Sequence, residues 1–130
     1  MKLTFPDYII LIVDDLDRAL RFYTEILGLR LGHRSGDYAQ LDTGATRLGL
    51  YTRNAMAKTL GFPLQSPAHD APGFEIGFKV PDVDAAYAEL VTRGASPVTP
   101  PTTRPWGQRI AYVRDPDGHL IELAQDLGKS

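Results

Sequence analysis

One pattern occurs twice in this chain: a short apolar strand, an acidic helix start, an amphipathic helix and a glycine stop. The first copy begins with the apolar run Tyr8–Val13, continues through Asp15 and ends at Gly28. β-Branched residues in a short run favour a strand, aspartate is a good helix N-cap, and glycine readily ends a helix. The second copy begins with the alternating segment 74–80 and ends at Gly94. The chain is therefore predicted to contain two copies of one supersecondary unit.

Three short strand-like segments, separated by turn residues, follow each helix. They are residues 29–34, 38–41 and 47–51 in the first copy and residues 96–99, 109–114 and 119–124 in the second. This order predicts an α+β fold of two tandem βαβββ modules.

The predicted organisation is a single domain, 1–130, with modules at 5–52 and 73–126 and a linker at 53–72. Residues 54–60 of the linker are a candidate for a short helix. Any other α+β domain with two similar helices remains the alternative.

Charge and composition exclude several classes of function. The 130 residues carry a net charge of −2 and no cysteine. The charge gives no footprint for nucleic acid or an anionic membrane, and the missing thiols exclude disulfides and thiolate metal sites. Neither a signal peptide nor a membrane-spanning run is evident. We expect a cytoplasmic protein.

Three motifs resemble the vicinal oxygen chelate superfamily, which includes glyoxalases, bleomycin resistance proteins and extradiol dioxygenases. The segment 13–23 (VDDLDRALRFY) resembles its first helix entry, and 26–29 (ILGL) resembles the turn that follows. The segment 115–123 (DPDGHLIEL) resembles its C-terminal signature. The resemblance runs from about residue 8 to about residue 126. These motifs specify the fold and say little about the activity.

The resemblance implies that the two modules enclose an open, barrel-like cavity and that the protein forms a homodimer. Each cavity would then be built from modules of one chain or of both. Members that use a metal hold it on the first and last strands of each module. Those positions are occupied here by Tyr8, Gly49, Glu75 and Glu122. Only the two glutamates are ordinary ligands of a divalent metal, so we predict no metal and no cofactor. A weak magnesium or calcium ion at the glutamates remains the alternative.

Strand alternation predicts which side chains face the cavity. The predicted ligand-binding residues are Tyr8, Tyr38, Gln40, Arg47, Tyr51, Glu75, Trp106 and Glu122. Trp106 lies on a loop, where it either stacks on a planar ligand or covers a sheet edge or dimer contact. A carboxylate that is buried alone is costly, so we expect Arg47, Lys79 or a cationic ligand group to pair with Glu75 or Glu122.

These residues favour a metal-independent small-molecule binding protein of the bleomycin-resistance type. Its ligand would be aromatic or amphipathic, such as an antibiotic, and would be sequestered in the cavity. The alternative is a lyase, isomerase or dioxygenase of the same fold, with Glu75 and Glu122 carrying a metal or a proton. A partner-binding or purely structural domain is the third hypothesis.

Overall fold

The computed structural model describes residues 1–2, 5–65 and 73–128. Backbone contacts divide the chain into two compact units, Met1–Ser66 and Pro67–Ser130. Each unit contains one four-stranded mixed sheet, and each is described by itself below.

The first unit, module 1, folds as βαβββ followed by a short helix. Its strands are β1 (Tyr8–Val13), β2 (Arg30–Ser35), β3 (Tyr38–Asp42) and β4 (Arg47–Thr52), and its helices are α1 (Leu16–Arg21) and α2 (Arg53–Leu60). A π-helical turn, Phe22–Ile26, extends α1. The strand order is β1-β4-β3-β2. Strand β1 runs parallel to β4, and the other pairs are antiparallel.

Helix α1 begins where the sequence predicts, and its π-helical extension ends shortly before the predicted stop at Gly28. The Asp15 carboxylate accepts a hydrogen bond from the Arg18 backbone N–H at 3.1 Å, as an N-cap does. Gly28 has φ +80°, a conformation that glycine adopts without strain. The helix buries Leu16, Ala19 and Leu20. One face of the sheet packs against this helix and forms the core of the module.

The second unit, module 2, repeats the same topology. Its elements are β5 (Glu75–Lys79), α3 (Val83–Thr92), β6 (Ser96–Arg104), β7 (Gln108–Arg114) and β8 (Leu120–Asp126). The strand order is β5-β8-β7-β6, with β5 parallel to β8. Asp82 caps α3 through the Ala85 N–H at 3.1 Å, and Gly94 follows it with φ +107°.

The structure confirms the α+β fold of two βαβββ modules and a helix at 54–60, which begins one residue earlier, at Arg53. Strand β6 was predicted too short, since it runs to Arg104 rather than ending at residue 99. Strand β6 lies at the edge of its sheet and accommodates its prolines with two register shifts. Residues 66–72 of the predicted linker lie outside the described residues, and the predicted domain boundaries remain a prediction.

Candidate functional site

The sheet of module 1 has two chemically different faces. Leu11, Val13, Leu41 and Leu50 are fully buried on the face that packs against α1. Alternation along the strands places the intervening residues on the opposite face, which we call the far face of module 1. It carries Tyr8, Ile10, Ile12, Tyr38, Gln40, Arg47, Gly49 and Tyr51. The sequence-predicted site residues of this module therefore share one face.

Tyr38 lies across Gly49 on this far face. A Cβ built at Gly49 would be 2.8 Å from the Tyr38 hydroxyl oxygen and 3.0 Å from Cε1 of its ring. The Tyr38 hydroxyl donates to Gln40 Oε1 at 3.0 Å. The Tyr38 and Tyr51 rings meet edge to face, with centroids 6.2 Å apart. Gly49 is thus the residue that makes room for the Tyr38 ring.

The other two predicted residues of module 1 lie near the start of their strands. Tyr8 is 56% exposed and pairs in register with Arg47 on β4. The Arg47 guanidinium forms an ion pair with Asp7. Arg47 is thus paired within its own module, and its expected pairing with Glu75 or Glu122 stays a prediction.

The far face of module 2, defined by the same alternation, carries two carboxylates joined by a tyrosine. The Tyr112 hydroxyl is 3.1 Å from Glu122 Oε2 and 3.3 Å from Glu75 Oε1. Tyr112 on β7 lies directly opposite Glu122 on β8. One hydroxyl proton serves one carboxylate at a time, so Tyr112 donates to either glutamate in turn.

The environment changes the acidity of this cluster. Partial burial, then the negative charge of Glu75 and a hydrogen bond with it, raise the pKa of Glu122, while Tyr112 and Lys79 lower it. The net direction is upward. Burial and the charges of the two glutamates raise the pKa of Tyr112 well above its usual range. Tyr112 therefore stays protonated and remains a donor at neutral pH.

Lys79 does not neutralise these glutamates by direct pairing, contrary to the sequence expectation. Its ammonium group is 2.5 Å from Asp126 Oδ1 at the far end of β8. Among the described residues, neither Glu75 nor Glu122 forms an ion pair. The pair keeps acceptor capacity for a hydrogen-bond donor or a cation.

Trp106 lies in the turn between β6 and β7 and is 60% exposed. Its indole N–H donates to Gln108 Oε1 at 2.9 Å, and the Arg104 guanidinium carbon is 5.0 Å from the ring centroid. An open pocket beside the indole is lined by the turn and by residues 126–128. Trp106 is therefore a surface aromatic with a defined orientation.

The donor set at the four family metal positions does not fit a divalent metal. Gly49 has no side chain, and the Tyr38 ring fills the space where one would begin. Tyr8 has a phenol, which is a rare ligand, and the two glutamates share the Tyr112 hydroxyl. Within the described ranges, no three His, Cys, Asp or Glu side chains come together to hold an ion.

Sequence reasoning missed Tyr112, although a signal was present. Ala111 and Val113 are both fully buried, so alternation along β7 puts Tyr112 on the opposite face with Glu122. Asp115, another ionisable residue that sequence reasoning left unassigned, has a structural role. Its buried carboxylate accepts from the backbone N–H of Asp117 and of His119 and lies 2.7 Å from His119 Nδ1, which fixes the turn before β8.

The sequence model of the Glyoxalase/Bleomycin resistance protein/Dioxygenase superfamily matches residues 6–123. The chain is 36% identical over 121 residues to the uncharacterized protein YraH of Bacillus subtilis, which covers 90% of this chain and 94% of that one. It is 32% identical over 125 residues to a protein of Vibrio parahaemolyticus named "Probable lactoylglutathione lyase", with coverages of 88% and 85%.

Solved structures give the same fold with different functional names. TnmS3, an antibiotic binding protein from Streptomyces sp. CB03234, is similar with a TM-score of 0.72 and 28% identity, over 97% of this chain and 98% of that one. A glyoxalase-related enzyme from Fulvimarina pelagi has a TM-score of 0.83 and 26% identity, over 95% and 89%. The described residues contain no helix that is long and apolar enough to cross a bilayer.

Proposed function

Because the chain belongs to the glyoxalase/bleomycin resistance protein/dioxygenase superfamily, we propose that it is a metal-independent binding protein of the bleomycin-resistance type. Its ligand is an aromatic or amphipathic small molecule, such as an antibiotic, which it holds and sequesters. The ligand contacts the far faces of the modules through Tyr8, Tyr38, Gln40, Arg47, Tyr51, Glu75, Trp106 and Glu122.

The observation that supports this proposal is that the Tyr38 ring lies across Gly49. A metal-binding member needs a ligand side chain at this position, and here an aromatic ring occupies the space instead. The hydroxyl of Tyr38 is bonded to Gln40 and that of Tyr51 lies 3.0 Å from Thr59 Oγ1. With their polar ends satisfied within the module, the rings are held in place for apolar and stacking contacts.

The two glutamates of module 2 favour a ligand that carries a positive charge or a hydrogen-bond donor. They lie together, share one hydroxyl and form no ion pair among the described residues. A cationic group on the ligand would relieve the repulsion between them. An amine on the ligand is therefore complementary to the acidic far face of module 2.

The test is calorimetric titration of EDTA-treated protein with metal-free bleomycin and with other cationic aromatic antibiotics. We expect saturable binding that EDTA leaves unchanged. Tyr38→Ala should weaken binding about three- to tenfold, from the loss of one aromatic contact. Tyr87→Ala, on helix α3, is the matched control. Binding that requires one equivalent of a divalent metal would contradict the proposal.

A lyase, isomerase or dioxygenase is the second candidate, and two observations favour it. Relatives carry the name lactoylglutathione lyase, and the raised pKa of Glu122 suits a proton-transferring carboxyl group. Formation of lactoylglutathione should be assayed with and without added zinc, nickel or magnesium. Glu122→Gln abolishes turnover if this candidate is right, whereas in a binding protein it changes only the affinity.

A further inference from the structure

The exposed indole of Trp106 is held by a chain of three polar side chains. Its Nε1–H donates to Gln108 Oε1 at 2.9 Å, and the Gln108 amide nitrogen donates to Asp126 Oδ1 at 3.0 Å. Lys79 Nζ is 2.5 Å from the same Asp126 oxygen. Hydrogen bonds from Lys79 and Gln108 keep the pKa of Asp126 below its usual range, so this anchor stays charged at neutral pH.

The backbone around the indole is also fixed. Gly107 has φ +89°, which allows the tight turn between β6 and β7. Its carbonyl accepts from the Leu127 N–H at 3.0 Å, which ties the turn to the end of β8. The pocket beside the indole includes Asp126 and Leu127 in its wall, and Arg104 is not part of that wall.

These linked hydrogen bonds between Trp106, Gln108, Asp126 and Lys79 contribute little to the stability of the module. The Lys79 and Asp126 side chains are each nearly two-thirds exposed, and ion pairs between exposed groups are weak. The effect of these hydrogen bonds is instead to orient one large, exposed aromatic side chain by fixing the direction of the indole N–H. Fixing a side chain before binding removes part of the entropy cost of association.

We propose that Gln108 is a positioning residue which, anchored by Asp126 and Lys79, holds the Trp106 indole as a preformed stacking surface for a planar aromatic ring. This inference rests on the proposed function, since it concerns how the same ligand is held. Trp106 contacts the ligand, and Gln108 acts through Trp106.

The position of this surface also limits the shape of the ligand. Asp126 and Glu122 lie on the same strand and face, four residues apart, which is about 13 Å along β8. A ligand that reaches both the indole and the Glu75–Glu122 pair is therefore elongated. It has a planar aromatic ring at one end and a cationic or donor group at the other.

The positioning role is tested first without a ligand. Trp106 is the only tryptophan, so the indole N–H signal in an NMR spectrum and the intrinsic fluorescence both report this residue alone. Gln108→Leu should speed hydrogen exchange of the indole N–H and increase acrylamide quenching at least twofold. Gln65→Leu, a matched change in module 1, should alter neither. Unchanged exchange and quenching in Gln108→Leu would overturn the positioning role.

The stacking role is tested with 1-naphthylmethylamine, with cyclohexylmethylamine as the non-aromatic control. The naphthyl amine should shift the Trp106 indole signal, and Gln108→Leu should weaken its binding about fivefold, the worth of one hydrogen bond. Binding of the cyclohexyl amine should not change. Extending the naphthyl amine with an aminooctyl chain should tighten binding about tenfold, and Glu122→Gln should remove that gain.

The outcomes separate this inference from the proposed function. Shifts confined to Tyr38, Tyr51 or the glutamates, with the Trp106 signal unmoved, would overturn the stacking role and leave the proposed function intact. An extended probe that binds no tighter than the short one would overturn the elongated shape. If no aromatic amine binds anywhere on the protein, both proposals fail.

Discussion

Replacing Gly49 with alanine tests whether the Tyr38 ring occupies the space next to residue 49. If Tyr38 stays in place, the new Cβ lies 2.8 Å from its hydroxyl and 3.2 Å from Ile10 Cγ1, and such overpacking costs about 1–3 kcal/mol. If Tyr38 swings away, it loses its bond to Gln40, worth about 0.5–1.5 kcal/mol, and its edge contact with Tyr51, worth a similar amount. Either route gives about 1–3 kcal/mol.

Alanine offsets part of this cost, because glycine inside a strand is less favourable than alanine by about 0.5–1 kcal/mol. The net loss of unfolding free energy in Gly49→Ala should be about 1–2 kcal/mol. In a Tyr38→Ala background only the 3.2 Å approach to Ile10 Cγ1 remains, so Gly49→Ala should be neutral or stabilising by less than about 1 kcal/mol. The double-mutant cycle should therefore give a coupling of about 2 kcal/mol, well above the ~0.3–0.5 kcal/mol expected for independent sites.

Urea unfolding of the four proteins, followed by circular dichroism, measures this coupling. Gly73→Ala is the control, because a Cβ at Gly73 meets no atom within 4 Å. A coupling near zero, or a Gly49→Ala protein as stable as the wild type, would refute the argument. Position 49 would then have room for a side chain, and Gly49 would not be the residue that makes room for the Tyr38 ring.

Three further outcomes are expected. Asp115→Ala should lower the unfolding free energy by about 3 kcal/mol, because it removes the buried acceptor of two backbone N–H groups and the partner of His119. Asp37→Ala, at an exposed position, is the control in the same urea experiment. The raised folded pKa of Glu122 makes its ionisation destabilising as the pH rises above 4.5. Glu122→Gln should thus be more stable than wild type at pH 7 and equal to it below pH 4, and a difference that grows toward low pH would contradict the assigned shift. Size-exclusion chromatography with light scattering should give twice the chain mass, as the family resemblance implies, whereas a monomer at micromolar concentration would count against the dimer.

The fold could be predicted from the sequence because its signals are local. Asp15 and Asp82 cap their helices through the neighbouring backbone, and Gly28 and Gly94 take the positive φ that a helix stop requires. None of these signals depends on knowing the tertiary structure. Strand β6 shows the limit, since its prolines are tolerated only because the strand lies at the edge of its sheet.

The candidate site was predicted less completely because alternation gives the face of a side chain and not its neighbours. It put Tyr38 and Glu122 on the strand faces opposite the buried residues, and applied to β7 it would also have found Tyr112. It could not show that Arg47 would pair with Asp7, or Lys79 with Asp126. Long, flexible cations reach any carboxylate nearby, so their partners depend on the ends of strands, where sequence patterns carry little information.

The two modules have the same sheet topology, but the side chains on their far faces differ in chemistry. Each far face contains a glycine that makes room for a neighbouring side chain. In module 1, Gly49 lets the Tyr38 ring lie across the sheet. In module 2, a Cβ at Gly77 would come within 3.1 Å of Glu122 Oε1, so this glycine gives space to a carboxylate instead. Gly77 lies opposite Glu122 in the register of β5 and β8. Both glycines therefore shape their far faces, because a side chain at either position would displace the neighbour that gives its face aromatic or acidic character.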